Sequence, residues 1–367
     1  MQQINHPKVE ALVKPPFSNA KDRNIILCKT IIQELKEREL FSEFKALYSP
    51  NDKMSTLHLG ATCFVAASCV LGTALFPPTL WMPSALISFP VMGAVHCIIG
   101  NYVHNTSHGA TYSNKKLNKL VGRLLSASMF YSYDYFSYIH GEHHDKLGQN
   151  GIDPEMVTLI PELNPSDKGW VAASKFVKTF FLNGKAWIST VFADLPLMLR
   201  RGHGDAVVDS DKAKWIEKLS SNLKDVIMFW VSLSLVLLGA SFLTSLPLIT
   251  SFLLIWFGSK VSVYHLIRCT RELEDHFGLD VGSDVLDYTR QMPNTAFTIF
   301  YNGLNDNQHV CHHLFERIPM ANLKKAHEIL MQSPTYSQRV QTFDNYFWGK
   351  NNILDSMIEG VKKQQLE

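Results

Sequence analysis

Three stretches of this chain, residues 57–76, 80–103 and 226–246, contain no Asp, Glu, Lys or Arg. Each is long enough to cross roughly 30 Å of hydrocarbon as a helix. A fourth, from Leu248 to Ile267, carries Lys260 as its one charged residue and follows the third through a turn at Pro247. Four spans predict an all-α protein integral to a membrane. Composition alone would hide this, because 367 residues with 46% hydrophobic content and a formal net charge of +2 also describe an ordinary soluble protein.

The placement of charge sets the expected topology. The turns between spans one and two and between spans three and four lack Lys and Arg, whereas nine precede the first span and the stretches 104–225 and 268–367 are richly charged. Positive charge resists translocation, so both termini and the central region are expected in the cytoplasm. Two transmembrane hairpins then hang from a cytoplasmic helical cap. The first fifty residues lack the short apolar core of a secretory signal, so the first span is expected to direct insertion. The expected division is an N-terminal cytoplasmic segment 1–56, a membrane domain 57–330 and a cytoplasmic tail 331–367.

Of fifteen histidines, eight fall in three five-residue windows: His104 and His108; His140, His143 and His144; His309, His312 and His313. On a helix, positions three or four apart share a face, so each window can aim imidazoles at one place. The topology puts all three windows in one compartment. Eight neutral imidazoles exceed what one zinc ion takes, and the number suits two metals. Imidazole is compatible with zinc, copper, iron or nickel, so ligand type alone leaves the metal open.

The boxes HxxxH, HxxHH and HxxHH, in this order and with the first two about thirty residues apart, resemble those of the membrane fatty acid desaturase superfamily. The segments running from Tyr301 and Asn302 to Pro319 and from Arg271 through Asp275 and His276 to Gly278 are similar to that family's third-box region and Arg-x-x-x-Glu-His segment. The resemblance implies a membrane non-haem di-iron oxidoreductase that activates dioxygen, with His276 as a ninth ligand and no catalytic residue beyond the metal site. It implies a lipid or acyl substrate, desaturated in the membrane. Electrons would come from a separate ferredoxin or cytochrome b5 system, since no His-Pro-Gly-Gly haem motif is present. The membrane would be a bacterial inner membrane or the endoplasmic reticulum, and no nucleic-acid partner is expected.

Related chemistry stays open as hydroxylase, ketolase or acetylenase. A metal transporter is a more distant alternative, but transport places polar ligands at mid-span, whereas these boxes lie outside the apolar runs. This chain departs from the family pattern at Asn105, Cys311 and Asp275, positions that orient imidazoles, so substrate and outcome cannot be copied from familiar members. Asp275 is a candidate to orient a ligand, and Asn305, four residues before His309, is expected to face the site and hold a water.

Lys260 lies roughly 20 Å from the far surface at 1.5 Å per residue. Either its stem snorkels to the cytoplasmic interface or its amine faces the interior and contacts a substrate's carboxyl or headgroup. Residues 172–200 suit an interfacial helix guarding the substrate's path or a packing helix, and 322–331 an amphipathic helix over the site. The single residues His58, His96, His203, His265 and His327 are expected to be hydrogen-bonded structural histidines, and Cys63, Cys69 and Cys97 reduced packing residues.

Overall fold

The computed structural model describes residues 20–149, 153–155, 160–195, 212–279, 284–296, 298, 300 and 303–366. His203, Tyr301, Asn302 and the end of the 172–200 stretch lie outside the described residues. Helices α1 (Ala20–Glu37) and α2 (Phe41–Ala46) precede α3 (Asp52–Leu75). Asn51 caps α3 by accepting from the Met54 amide, and Phe76 ends it in an extended conformation ahead of Pro77. A 3₁₀ turn, Pro78–Leu80, leads into α4 (Trp81–Ser107), followed by α5 (Lys115–Ser128), α6 (Tyr133–Lys146), α7 (Trp170–Phe176) and α8 (Gly184–Phe192). Helices α9 (Lys212–Ser221) and α10 (Leu223–Thr244) lead to α11 (Leu248–Ser259), which passes through a π-turn, Lys260–Tyr264, into α12 (His265–Glu274). The rest comprises β1 (Arg290–Gln291), α13 (His309–Leu314), α14 (Met320–Leu330), α15 (Pro334–Ser337), β2 (Gln341–Thr342) and α16 (Ile353–Leu366). The two short strands pair in parallel, Arg290 opposite Gln341.

Among the described residues, four helical stretches are long and apolar enough to cross a membrane: Asp52–Leu75, Pro78–Ser107, Glu217–Thr244 and Leu248–Glu274. The fourth runs past Ile267 to Glu274, further than its apolar stretch alone indicates. Within α10 only Val226 is buried, while Met228, Leu235 and Phe242 are exposed. So much exposed apolar surface on one helix needs lipid around it. Among themselves the spans are joined by polar side chains that find oxygens: Thr73 Oγ1 lies 2.7 Å from Ser84 Oγ, and Ser251 Oγ donates to the Val70 carbonyl at 2.5 Å. A Cβ added at Gly93 would lie 2.7 Å from a Val263 side-chain atom, so the absent side chain lets α4 meet the π-turn closely.

That π-turn carries Lys260, which is fully buried. Its Nζ donates to the Val191 carbonyl at 3.1 Å and the Met129 carbonyl at 3.4 Å, over the Phe130 ring. The expectation that Lys260 snorkels or meets a substrate gives way to this arrangement, because a buried ammonium settles on whatever oxygens the packing supplies. The side chain thereby ties α11–α12 to the end of α8 and to the end of α5.

The described part of the 172–200 stretch, residues 172–195, does not form one helix. It divides into α7, a π-turn at Val177–Phe181 and α8, whose start Asn183 caps. Helix α14 buries Leu323, Ala326 and Ile329 against a second apolar cluster that also holds Val310, Cys311 and Leu314 of α13, so the expected amphipathic helix does back the third box.

Candidate metal centre

Each histidine window is delivered by a helix end. Helix α4 presents His104 in its last turn and His108 as its C-cap, α6 carries His140, His143 and His144, and α13 consists of little more than the third box. His276 follows directly after α12 ends. Gly122 makes this convergence possible: a Cβ there would sit 2.2 Å from Tyr133 and 2.6 Å from Thr106 Oγ1, so α5 can lie against both α6 and the end of α4.

The nine imidazoles form two groups. Nitrogens of His104, His108, His140, His144 and His312 lie within 4.8 Å of one another, and so do those of His143, His276 and His313. His309 joins the second group through Nε2, 3.0 Å from His313 Nε2. The second and third boxes are thus split between groups. Adjacent positions such as His143 and His144 point about 100° apart on a helix and cannot serve one centre, whereas His140 and His144 share a face.

The outer ring nitrogens settle which atoms point inward. His143 Nδ1 meets Asp153 Oδ1 at 2.8 Å, and His140 Nδ1 meets Glu155 Oε2 at 3.1 Å. His276 Nδ1 meets the Tyr288 carbonyl at 2.7 Å. Further out, His104 Nδ1 lies 3.4 Å from Asp306 Oδ1 and His108 Nδ1 3.5 Å from Glu316 Oε2. With Nδ1–H donated outward in His143, His140 and His276, the Nε2 of each keeps a lone pair facing its neighbours, the arrangement that ligating histidines adopt.

Those inward nitrogens are crowded. His104 and His312 approach at 2.9 Å, His140 and His144 at 3.0 Å, and His144 and His312 at 3.0 Å. Two donors at right angles around an ion bonded at about 2.1 Å lie about 3.0 Å apart. His276 Nε2 and His108 Nε2 are buried and have no hydrogen-bond partner. Lone pairs packed this closely repel one another unless a cation lies between them, so the donor set fits a pair of metal ions.

Protonation follows the same logic. Burial, reinforced by neighbouring imidazoles, holds His144, His309, His312 and His313 well below the usual histidine range. His276 is pushed down to about 3 by burial and then by His143. Burial acts the same way on His143, but Glu155, Asp153 and Asp275 outweigh it and raise the ring. Most of the cluster is therefore neutral at pH 7, the form that binds metal.

A cavity of about 570 Å³ opens beside the cluster, lined by His104, His140, His143, His276 and His309 together with Tyr131, Phe136, Tyr264, Arg268 and Phe180. Its size falls within the roughly 300–1,000 Å³ usual for ligand pockets. Three of the four second-group histidines face it, against two of the five in the first.

Asp275, the candidate for orienting a ligand, lies 3.5 Å from His309 Nε2 and lines the cavity. Asn305 is placed differently from expectation. Helix α13 begins only at His309, Asn305 has a φ of +62°, and its amide donates to the Met320 and Ala321 carbonyls at 3.3 Å. No helix reaches back from His309 to turn Asn305 toward the site, and the next residue, Asp306, lies 3.4 Å from His104 Nδ1 and pairs with Arg271.

Sequence reasoning missed Asp153, Glu155, Asp306 and Glu316. Their signal was present as acids close to the second and third boxes, but an acid near a box is also what any polar loop supplies. The lone histidines stay apart: His96 meets the Trp256 carbonyl, His265 the Phe181 carbonyl and Thr190, His58 the Tyr102 hydroxyl and His327 the Tyr336 hydroxyl. Cys97 and Cys311 are buried, Cys69 is half-buried and Cys63 is exposed on α3.

The family profile described as fatty acid desaturase matches residues 79–344, which takes in α4, all nine histidines and the acids behind them. No curated protein matches the chain.

Proposed function

The chain belongs to the fatty acid desaturase family, and from that premise we propose that it is an oxygen-dependent di-iron enzyme that introduces a double bond into the fatty chain of a membrane lipid. The observation that carries this reading is the paired imidazole groups, with outer nitrogens donated to acids and inner lone pairs converging beside a cavity. His104, His108, His140, His144 and His312 would hold one iron, and His143, His276, His309 and His313 the other. Iron with dioxygen supplies the oxidising power to take hydrogen from an unactivated carbon, which no amino-acid side chain can do. Reducing dioxygen to water takes four electrons, two from the substrate's broken C–H bonds and two from a separate carrier such as a ferredoxin or cytochrome b5.

The chain's own residues do the positioning. Asp153, Glu155, Glu316 and the Tyr288 carbonyl hold the outer ring protons of His143, His140, His108 and His276, fixing those tautomers and the direction of their lone pairs. Phe136 lies parallel to His140, with ring centroids 5.5 Å apart, and closes one side of the cavity to water. The site belongs at the cytoplasmic surface, with both termini on that side and two helical hairpins beneath it, because the lysine- and arginine-poor turns are the segments that translocate most readily.

Mass spectrometry of lipids from cells expressing the wild type or His143→Ala, with iron measured on both purified proteins, tests this. A product two hydrogens lighter, absent with the variant, and about two irons per wild-type chain are expected. A product one oxygen heavier would identify a hydroxylase instead, and a protein without iron that changes no lipid would end the oxidative reading.

A further inference from the structure

The wall of the cavity formed by the π-turn and α12 carries five polar side chains beside Cys269 and Leu273. Tyr264, Arg268, Arg271, Glu272 and Asp275 all line it, on successive turns over roughly 16 Å of helix. A hydrocarbon chain alone offers no hydrogen bond to those polar groups. Tyr131 lines the same cavity as Tyr264.

Both arginines of this wall already have acidic partners. Arg268 pairs with Glu272 at 2.5 Å and donates to Thr190 Oγ1 at 3.2 Å. Arg271 pairs with Asp306 and donates to Asn101 Oδ1 at 2.7 Å. The lining as a whole sets four acids, Glu155, Glu272, Asp275 and Asp306, against these two arginines. Away from the metal, an anionic head would meet Glu272 as closely as Arg268. A neutral head that both donates and accepts hydrogen bonds meets no such conflict, and it can use guanidinium N–H groups and tyrosine oxygens alike.

We propose that the substrate is a lipid whose uncharged, hydrogen-bonding head, of the amide or hydroxyl class, lies along this wall and places the nearby part of its chain at the metals. This rests on the oxidative reading above and narrows it. A substrate without such groups offers the Tyr131 and Tyr264 hydroxyls no partner when it displaces water, at a cost of about tenfold or more in affinity for each.

The test uses the full-length iron-loaded protein in phosphatidylcholine nanodiscs with four saturated probes of equal chain length: an N-acyl amino alcohol, the free fatty acid, its coenzyme A thioester and the alkane. Binding is read as displacement of a fluorescent lipid, independently of turnover, and product is read by mass spectrometry. The amino-alcohol amide is expected to bind at least about tenfold more tightly than the other three. Tyr131→Phe should narrow that gap, and Glu272→Gln should improve binding of the free acid while leaving the amide unchanged. Equal or tighter binding of the acid, thioester or alkane overturns the proposal, as does a Glu272→Gln protein that discriminates as the wild type does. Preferential binding of the amide with no product from any probe would sustain the proposal and count against the oxidative reading alone.

Discussion

Asp153→Asn probes how the metal ligands are held. The Asp153 carboxylate is buried and accepts from His143 Nδ1 at 2.8 Å, from the Gly148 amide at 2.9 Å and from the Glu155 amide at 3.0 Å. Asparagine has one acceptor oxygen, and whichever way its amide is turned, at least one of these donors faces an NH₂ group. Leaving a buried donor unmet costs about 1–3 kcal/mol. At about 1.4 kcal/mol per decade this is roughly ten- to hundredfold, the range seen when a residue supporting a metal ligand is lost. The assay is iron retention by the purified variant against a graded ferrous chelator, with Glu142→Gln as comparison. Glu142 lies on the same helix and pairs with Lys146 at the surface, an interaction worth at most about 1 kcal/mol. Asp153→Asn is expected to lose iron at about ten- to hundredfold lower chelator concentration, and Glu142→Gln to match the wild type. Equal retention by Asp153→Asn and wild type would refute the idea that Asp153 orients His143.

Other outcomes follow from the same geometry. His276→Ala removes one of four imidazoles from the second group and none from the first, so purified protein should fall from about two irons per chain to about one; a loss of both or of neither contradicts the division into groups. The folded-state shift of His276 to about 3, below the ordinary 6.5, means the unfolded chain binds more protons between those values. Stability is then present above about 6.5 and drains as pH falls through that window, so thermal unfolding of metal-free protein should move to lower temperature between pH 7.5 and 5, and a flat profile would contradict the assignment. Lys260→Met should affect charged and neutral lipid substrates alike, because Nζ is spent on the Val191 and Met129 carbonyls; a selective loss with charged substrates would restore a substrate contact. Cys311→Glu puts a carboxylate into an apolar cluster where Sγ now lies 3.3 Å from the Tyr336 hydroxyl, so folded yield and melting temperature should drop sharply, and an unaffected melt would show a partner for the acid.

The spans and the three boxes were legible because both rest on local pattern. Uncharged runs of twenty residues and histidines three or four apart keep their meaning in almost any tertiary setting. Asn305 shows where this stops. Counting four residues back from His309 presumes a helix, but the chain turns at a positive φ just before the helix starts, and the position that reaches His104 is Asp306. Lys260 shows a second limit, since a charge within an apolar run marks an anomaly without saying what resolves it, and here the answer is two carbonyls from distant segments.

The split of the boxes between two groups has the same origin as the missed acids. Helical spacing tells which side chains of one box diverge, so His143 and His144 had to part, but which partners each would find depends on how α4, α6 and α13 meet. The acids fall under this rule as well. Asp153 and Glu155 are separated by one residue yet hold different histidines, His143 and His140, and those belong to different groups. A single short loop therefore fixes the orientation of a ligand in each half of the centre, so a shift of residues 153–155 would disturb both groups at once.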